Sequence, residues 1–315
     1  MKRYLLMSVG FFVLLCTLGS LVIAARYWNY WESDGYGLVR YQLAKLDHLQ
    51  NIDTVFVGDS SLGNAIEVKE FDRLTGSHSV NLALTGLYGY AGSLHFALRA
   101  LDRAPQVKRV VIMHSPDMMQ RKTEYHGMFF TLYRGWPSWL PLHMQLNLLQ
   151  TAASRLTEYA MTVDTARRFR WRLTAGHGWP RWTSPTDYIT QGAPVTVEPI
   201  TLAAVGVNPD KFIILQQLAN ACRARGIDCV YMHGPLSENI LARSAAYFEK
   251  GNAAIRQTDL PLACDSPLPM RPDQSGDAYD HIRPDHQTLT TAYYAGILTA
   301  YWAGQTSPCR TTPLP

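Results

Sequence analysis

The chain has 315 residues, of which 47% are hydrophobic and 17% charged. These proportions exclude wholesale disorder and leave room for one large domain, or one domain carrying an insertion. A net charge of +4 without a dense basic cluster excludes nucleic acid as the expected partner. The nearest candidate cluster, Arg167-Arg168-Phe169-Arg170-Trp171-Arg172, reads first as a solvated helix face with aromatic anchors, and second as a polyanion or headgroup contact.

Residues Tyr4 to Ala24 form an uncharged run of about bilayer-spanning length. Lys2 and Arg3 precede it and Tyr27, Trp28, Tyr30 and Trp31 follow it, the pattern of a cytoplasmic N terminus and an outer aromatic belt. The competing reading is a cleaved signal peptide ending at Val22-Ile23-Ala24; the length of the apolar core favours an uncleaved anchor. Residues 1–32 are therefore expected to be a single-pass anchor in the inner (cytoplasmic) membrane, with residues 33–315 on its periplasmic or extracytoplasmic side. Cys16 follows Leu15, where a lipid-attachment site wants a small residue.

Beyond the anchor, Gly37 to Gln50 reads as a helix. Thr54–Val57 is a short buried strand running into Gly58-Asp59-Ser60. Ser79–Ala83 is a second strand, Tyr90–Arg103 an amphipathic helix, and Val110–Met113 a strand buried on both faces. Asn208-Pro209-Asp210 opens a helix, with Asn as cap and Pro at its first position, ending near Gly226. Cys229–Met232 is a further strand, and Ser237–Arg256 and His286–Gly304 are helices. The alternation predicts an α/β fold: a doubly wound parallel sheet with helices on both faces. An insertion of about residues 121–208 interrupts it. This stretch is rich in aromatics (Phe129, Phe130, Trp136, Trp139, Trp171, Trp179) and mostly helical, with a helix over Met144–Ala166. Its aromatics are expected to form a small core of their own, a glycan-stacking groove, or a docking face for the membrane or an integral partner.

Three segments carry chemistry. Gly58-Asp59-Ser60 would expose Ser60 at the carboxyl rim of a parallel strand, where open α/β folds place their sites. Asn81-Leu82-Ala83-Leu84-Thr85-Gly86 follows the second strand, and Gly276-Asp277-Ala278-Tyr279-Asp280-His281 lies near the C terminus. Together they resemble the SGNH (GDSL-type) hydrolase family, specifically a divergent membrane-anchored branch similar to the polysaccharide and cell-wall O-acetylation proteins. The resemblance implies a three-layer, flavodoxin-like sheet. It implies Ser60 as nucleophile, His281 as general base, and the backbone N–H groups of Ser60 and Gly86 as an oxyanion hole. Two positions depart from the family pattern. Ala278 stands where an Asp three residues before the His is usual, so Asp277 is the expected acid, its carboxylate reaching the far ring nitrogen across a turn, with Asp280 as the alternative. His114-Ser115-Pro116-Asp117 falls where Gly-x-Asn-Asp is usual; only the last Asp, Asp117, survives, so the side-chain oxyanion donor is missing or supplied elsewhere. Asp59 is expected to shape the turn, and Asn81 to order its loop or simply to form a turn. His233 reads as a satisfied core residue, His286 as a helix-surface residue, and Arg283 as open between an acidic sugar and a structural contact.

Cys222, Cys229, Cys264 and Cys309 form an even set suited to an oxidising compartment. The pairs Cys222–Cys229 and Cys264–Cys309 stand against four buried thiols. No spacing resembles a metal site, and no cofactor is expected. The expected function is O-acyl, chiefly acetyl, transfer or ester hydrolysis on a cell-surface polysaccharide, with an integral-membrane O-acyltransferase as possible partner. The alternatives are a non-catalytic partner that binds glycan or supports such a complex, and a general esterase or lipase.

Overall fold

A computed structural model describes residues 34–48, 50–161, 200–305 and 309–315, together with positions 4, 10, 11, 14, 17 and 18. In chain order the elements are α1 (Asp34–Leu46), β1 (Thr54–Gly58), α2 (Ser60–Ala65), α3 (Val68–Thr75), β2 (Ser79–Asn81), α4 (Gly89–Arg103) and β3 (Arg109–His114). There follow α5 (Tyr125–Thr131), α6 (Leu142–Met161), α7 (Pro209–Arg223), β4 (Asp228–His233), β5 (Leu236–Ser237), α8 (Glu238–Leu241), α9 (Ala245–Gln257), β6 (Pro269–Met270) and α10 (Gln287–Trp302).

The protein is a mixed α/β molecule built on a parallel sheet in the order β2-β1-β3-β4. Every residue of β1 is buried, which is why the strand reads as an unbroken apolar run rather than an alternating one. Its side chains still divide by parity. Val55 and Val57 enter one apolar cluster with Leu94 and Ala97 of α4 and Leu215 and Leu218 of α7. Phe56 enters a second with Leu62 of α2, Phe71 of α3 and Leu298 of α10. Each face of the sheet is thus sealed by helices.

Strand order reverses between β1, whose outer neighbour is β2, and β3, whose outer neighbour is β4. A crevice at the carboxyl ends of the strands is expected at such a reversal. The chain beyond β2 stays beside β1, with Leu82 N–H donating to Phe56 O and Leu84 N–H to Gly58 O, both at 2.9 Å. Residues 85–86 are thereby delivered next to the end of β1.

The expected single helix over Ser237–Arg256 is instead two helices, α8 and α9. Ser237 is held in β5, paired in parallel with Met270 of β6. Ser244 interrupts the run by turning its hydroxyl back onto Ile240 O at 2.7 Å. The small β5–β6 sheet escaped the sequence reading because two-residue strands carry no periodicity. The last helix begins at Gln287, after a 3-10 turn over Pro284–His286. Asn208 caps α7 through its side chain onto Asp210 N–H at 3.1 Å, with Pro209 at the first position.

Cys222 is bonded to Cys229, and Cys264 to Cys309. The first bond ties the end of α7 to the start of β4. The second anchors the C-terminal tail, whose Leu314 O accepts hydrogen bonds from Gln274 Nε2 (2.7 Å) and Arg271 Nη1 (2.8 Å).

Within the insertion, Phe129, Phe130 and Trp139 pack against the main apolar cluster rather than forming a core of their own. Trp171, Trp179, the arginines of 167–172 and the end of the expected Met144–Ala166 helix lie outside the described residues. So does the anchor over 1–32, the scattered positions apart. Among the described residues no helix is long and apolar enough to cross a membrane.

Candidate active site

The site is assembled at the carboxyl ends of β1 and β3. Gly58 closes β1 because a Cβ there would collide with the carbonyl of Met113 on β3. Asp59 follows in extended conformation and caps α2, its carboxylate accepting from Ser61 N–H at 3.0 Å and Ser61 Oγ at 2.6 Å. The same carboxylate accepts from Ser115 N–H at 3.1 and 3.0 Å, pinning the end of β1 to the end of β3. His114 Nδ1 lies 3.4 Å from Asp59 Oδ2, too long for a well-formed hydrogen bond. Burial pushes the Asp59 carboxyl up, but the contact with His114, the hydrogen bond from Ser61 and the charge of Arg121 outweigh it and hold it at about 2. Asp59 is therefore an ionised strut that orients the turn, and the next residue, Ser60, opens α2 at the rim.

The histidine arrives on a turn closed by an antiparallel bridge between Ser275 and Ile282. Gly276 N–H donates to His281 O at 2.7 Å, and Arg283 N–H to Gln274 O at 3.0 Å. This closure brings Asp277, four residues before His281, under the ring. His281 Nδ1 donates to Asp277 Oδ1 at 2.7 Å, and His281 Nε2 shares a 2.8 Å hydrogen bond with Ser60 Oγ. Ser60, His281 and Asp277 thus form one hydrogen-bonded line, although 221 residues separate the first two in sequence.

Asp280 does not take the far nitrogen. As the immediate neighbour of His281 its side chain diverges, and it lies on the Ser60 side of the ring, Oδ1 at 3.9 Å from Nε2. Burial raises its carboxyl to about 6 despite the charge of His281. Burial alone would lower the imidazole pKa of His281. The hydrogen bond to Asp277 and the charges of Asp280, Asp277 and Asp59 reverse that and lift it to about 9.

The loop carrying Gly86 is clamped from beneath. Asn81 Oδ1 accepts from Ala83 N–H at 3.0 Å, so Asn81 orders the loop with its side chain. From α1, Lys45 Nζ donates to Asn81 O at 2.7 Å and Gln42 Nε2 to Ala83 O at 2.6 Å. Burial brings the Lys45 ammonium down to about 7. Gly86 cannot be replaced without movement, since a Cβ would strike Arg121 Nη1.

Three side chains to which no role was assigned from sequence, Asp117, Arg121 and Tyr279, complete the rim. Asp117 Oδ1 accepts from Ser115 Oγ at 2.6 Å, while its Oδ2 accepts from Arg121 Nε at 2.9 Å and from Tyr279 OH at 2.6 Å. Tyr279 stands between Asp277 and His281 in the chain, so Asp117 links the histidine turn to Arg121 and, through it, to Gly86. The four-residue spacing of Asp117 and Arg121 was the one available signal for the pair. The remaining candidates lie apart from this line. His233 is a core residue sharing a 2.7 Å hydrogen bond with Asn252 Oδ1, His286 ends the 3-10 turn, and Arg283 pairs with Asp285 at the surface. Among the described residues no group of three or more His, Cys, Asp or Glu side chains could hold a metal ion.

A serine hydroxyl on an imidazole, itself on a carboxylate, can lose its proton as it attacks an ester carbonyl. No protein-family model and no curated protein matches this chain.

Proposed function

We propose that the chain is an extracytoplasmic serine enzyme of the SGNH type that transfers or removes O-acyl groups, chiefly acetyl, on a cell-surface polysaccharide. The carrying observation is the Ser60–His281–Asp277 line, with hydrogen bonds of 2.8 and 2.7 Å. Ser60 Oγ attacks the acyl carbonyl while His281 Nε2 takes its proton, and Asp277 fixes the ring and stabilises the imidazolium. The oxyanion forms against the N–H groups of Ser60 and Gly86. His281 then returns the proton to the departing oxygen. Water or a sugar hydroxyl repeats the sequence in reverse order, giving hydrolysis or transfer.

The anchor expected over residues 1–32 would hold this site near an integral-membrane acyl donor. Acetate on the surface polysaccharide, measured in cells carrying the parent chain or Ser60→Ala, tests the proposal. A change of several orders of magnitude in the acyl transfer attributable to this chain is expected; equal acetate with a folded Ser60→Ala protein would refute it.

One observation favours a second reading, a non-catalytic partner that keeps the fold. Pro116 has neither a side-chain amide nor an N–H to offer an oxyanion. Under that reading Ser60→Ala has no effect, while deleting residues 1–32 abolishes function.

A further inference from the structure

Arg121 pairs with the buried carboxylate of Asp117 and also reaches the loop that carries Gly86. Its Nε and Nη2 both point at Asp117 Oδ2, at 2.9 and 2.8 Å, leaving Nη1 turned away. Nη1 has no hydrogen-bond partner among the described residues and lies against the Cα of Gly86, where a methyl group would collide with it. The side chain as a whole is 37% exposed, so it is not sealed inside the protein. Asp117 in turn is held by Ser115 and by Tyr279, the latter on the turn that carries His281. The guanidinium is therefore fixed on one side by a buried carboxylate and presented on the other beside the loop that flanks Ser60. Burial acts to lower its pKa, but the charges of Asp117 and Asp59 more than offset this, so the group stays charged.

We infer that Arg121 is the side-chain donor of the oxyanion hole, a catalytic residue whose Nη1 hydrogen-bonds the negative oxygen formed when Ser60 attacks an acyl group. It fills the role left open at Pro116, from a position five residues further along the chain. The inference rests on the acyl-transfer function proposed above. In the step, the Ser60 Oγ–carbon bond forms and the carbonyl π pair moves onto oxygen, while the hydroxyl proton passes to His281 Nε2. The negative oxygen is then met by Gly86 N–H, Ser60 N–H and Arg121 Nη1–H. A planar guanidinium held through two of its nitrogens suits this task, because little reorganisation remains when charge develops. A carboxylate on the substrate would be bound by the same chemistry, and a probe lacking one separates the two.

The test is the second-order rate at which an uncharged alkyl fluorophosphonate labels the full-length protein in detergent, with the adduct mapped by mass spectrometry. Here Ser60 Oγ displaces fluoride from phosphorus and the phosphoryl oxygen gains charge on the way. Arg121→Ala is expected to slow labelling of Ser60 on the order of 10²-fold, the cost of one oxyanion donor. Added guanidinium chloride below denaturing concentration should restore part of the rate, which a merely structural role would not permit. Arg121→Lys keeps a cation beside Asp117, so it guards against misfolding, and its rate should fall between those of parent and Arg121→Ala. Equal rates in parent and variants, with Ser60 labelled in each, would overturn the inference and leave the acyl-transfer reading standing. An unlabelled parent would overturn the acyl-transfer reading and the inference with it.

Discussion

Two carboxylates and a hydroxyl surround His281, and their placement sets how the site should respond to pH. Asp277 is on Nδ1 at 2.7 Å and Asp280 is 3.9 Å from Nε2, and together they hold the imidazolium to about pH 9. A general base must be neutral to accept a proton. The rate of Ser60 acylation should therefore climb with pH through a midpoint near 9 rather than at the ordinary value of 6.5. Asp277→Asn removes the negative charge that helps raise this value, so its rising limb should move to lower pH, with the maximal rate down by about 10⁴. A pH–rate profile of fluorophosphonate labelling for both proteins checks this, and a limb that stays in place would show that Asp277 does not control the ring. The linked effect on stability has a definite sign. The folded-state pKa is raised, so the stabilisation is fully present below pH 6.5 and is lost as pH rises through about 9. Asp59 behaves oppositely. Its depressed value contributes roughly 2 kcal/mol above the ordinary carboxylate range, lost as pH falls through about 2.

At the scale of elements, the histidine turn depends on what lies beneath it. Gln274, at its base, is fastened to Leu314 O, and the tail bearing Leu314 is held by Cys264–Cys309, a closure of 45 residues. Chain-entropy reasoning assigns a loop of that size roughly 4 kcal/mol. Cys264→Ser should lower the thermal midpoint and slow Ser60 labelling together, because the tail supports the turn that positions His281. A lowered midpoint with unchanged labelling would show that the tail is structural only. Elements with strong local signals were legible: the apolar runs of β1, β3 and β4, and the Asn208-Pro209 start of α7. The β5–β6 pairing of Ser237 with Met270 was not, nor was the break between α8 and α9 at Ser244, whose hydroxyl turns back onto Ile240 O. Four parallel strands and the Gly58-Asp59-Ser60 rim could be read from the chain. The Asp117–Tyr279 hydrogen bond could not, since it joins two segments 162 residues apart through tertiary packing; the four-residue spacing of Asp117 and Arg121 was the only local hint of the rest.

Taken whole, the molecule brings three distant segments to one sheet edge. The turn from β1 into α2 contributes Ser60, the chain beyond β2 contributes Gly86, and the turn before α10 contributes Asp277 and His281. The reversal of strand order between β1 and β3 leaves the crevice they share, and Asp59 and Asp117 brace it by bonding across segments. Asp277 could be preferred over Asp280 from sequence because a turn can return a side chain four residues back while neighbours diverge. The fold class was likewise legible in the alternation of strands and helices, whereas the insertion's aromatics were not, since Phe129, Phe130 and Trp139 serve the main core. The central claim, that Ser60 is an activated nucleophile, is tested most directly by treating the full-length protein with a fluorophosphonate probe and mapping the adduct by mass spectrometry. The account predicts a single adduct on Ser60 that disappears in His281→Ala. No adduct on a folded sample, or one that persists without His281, would contradict it.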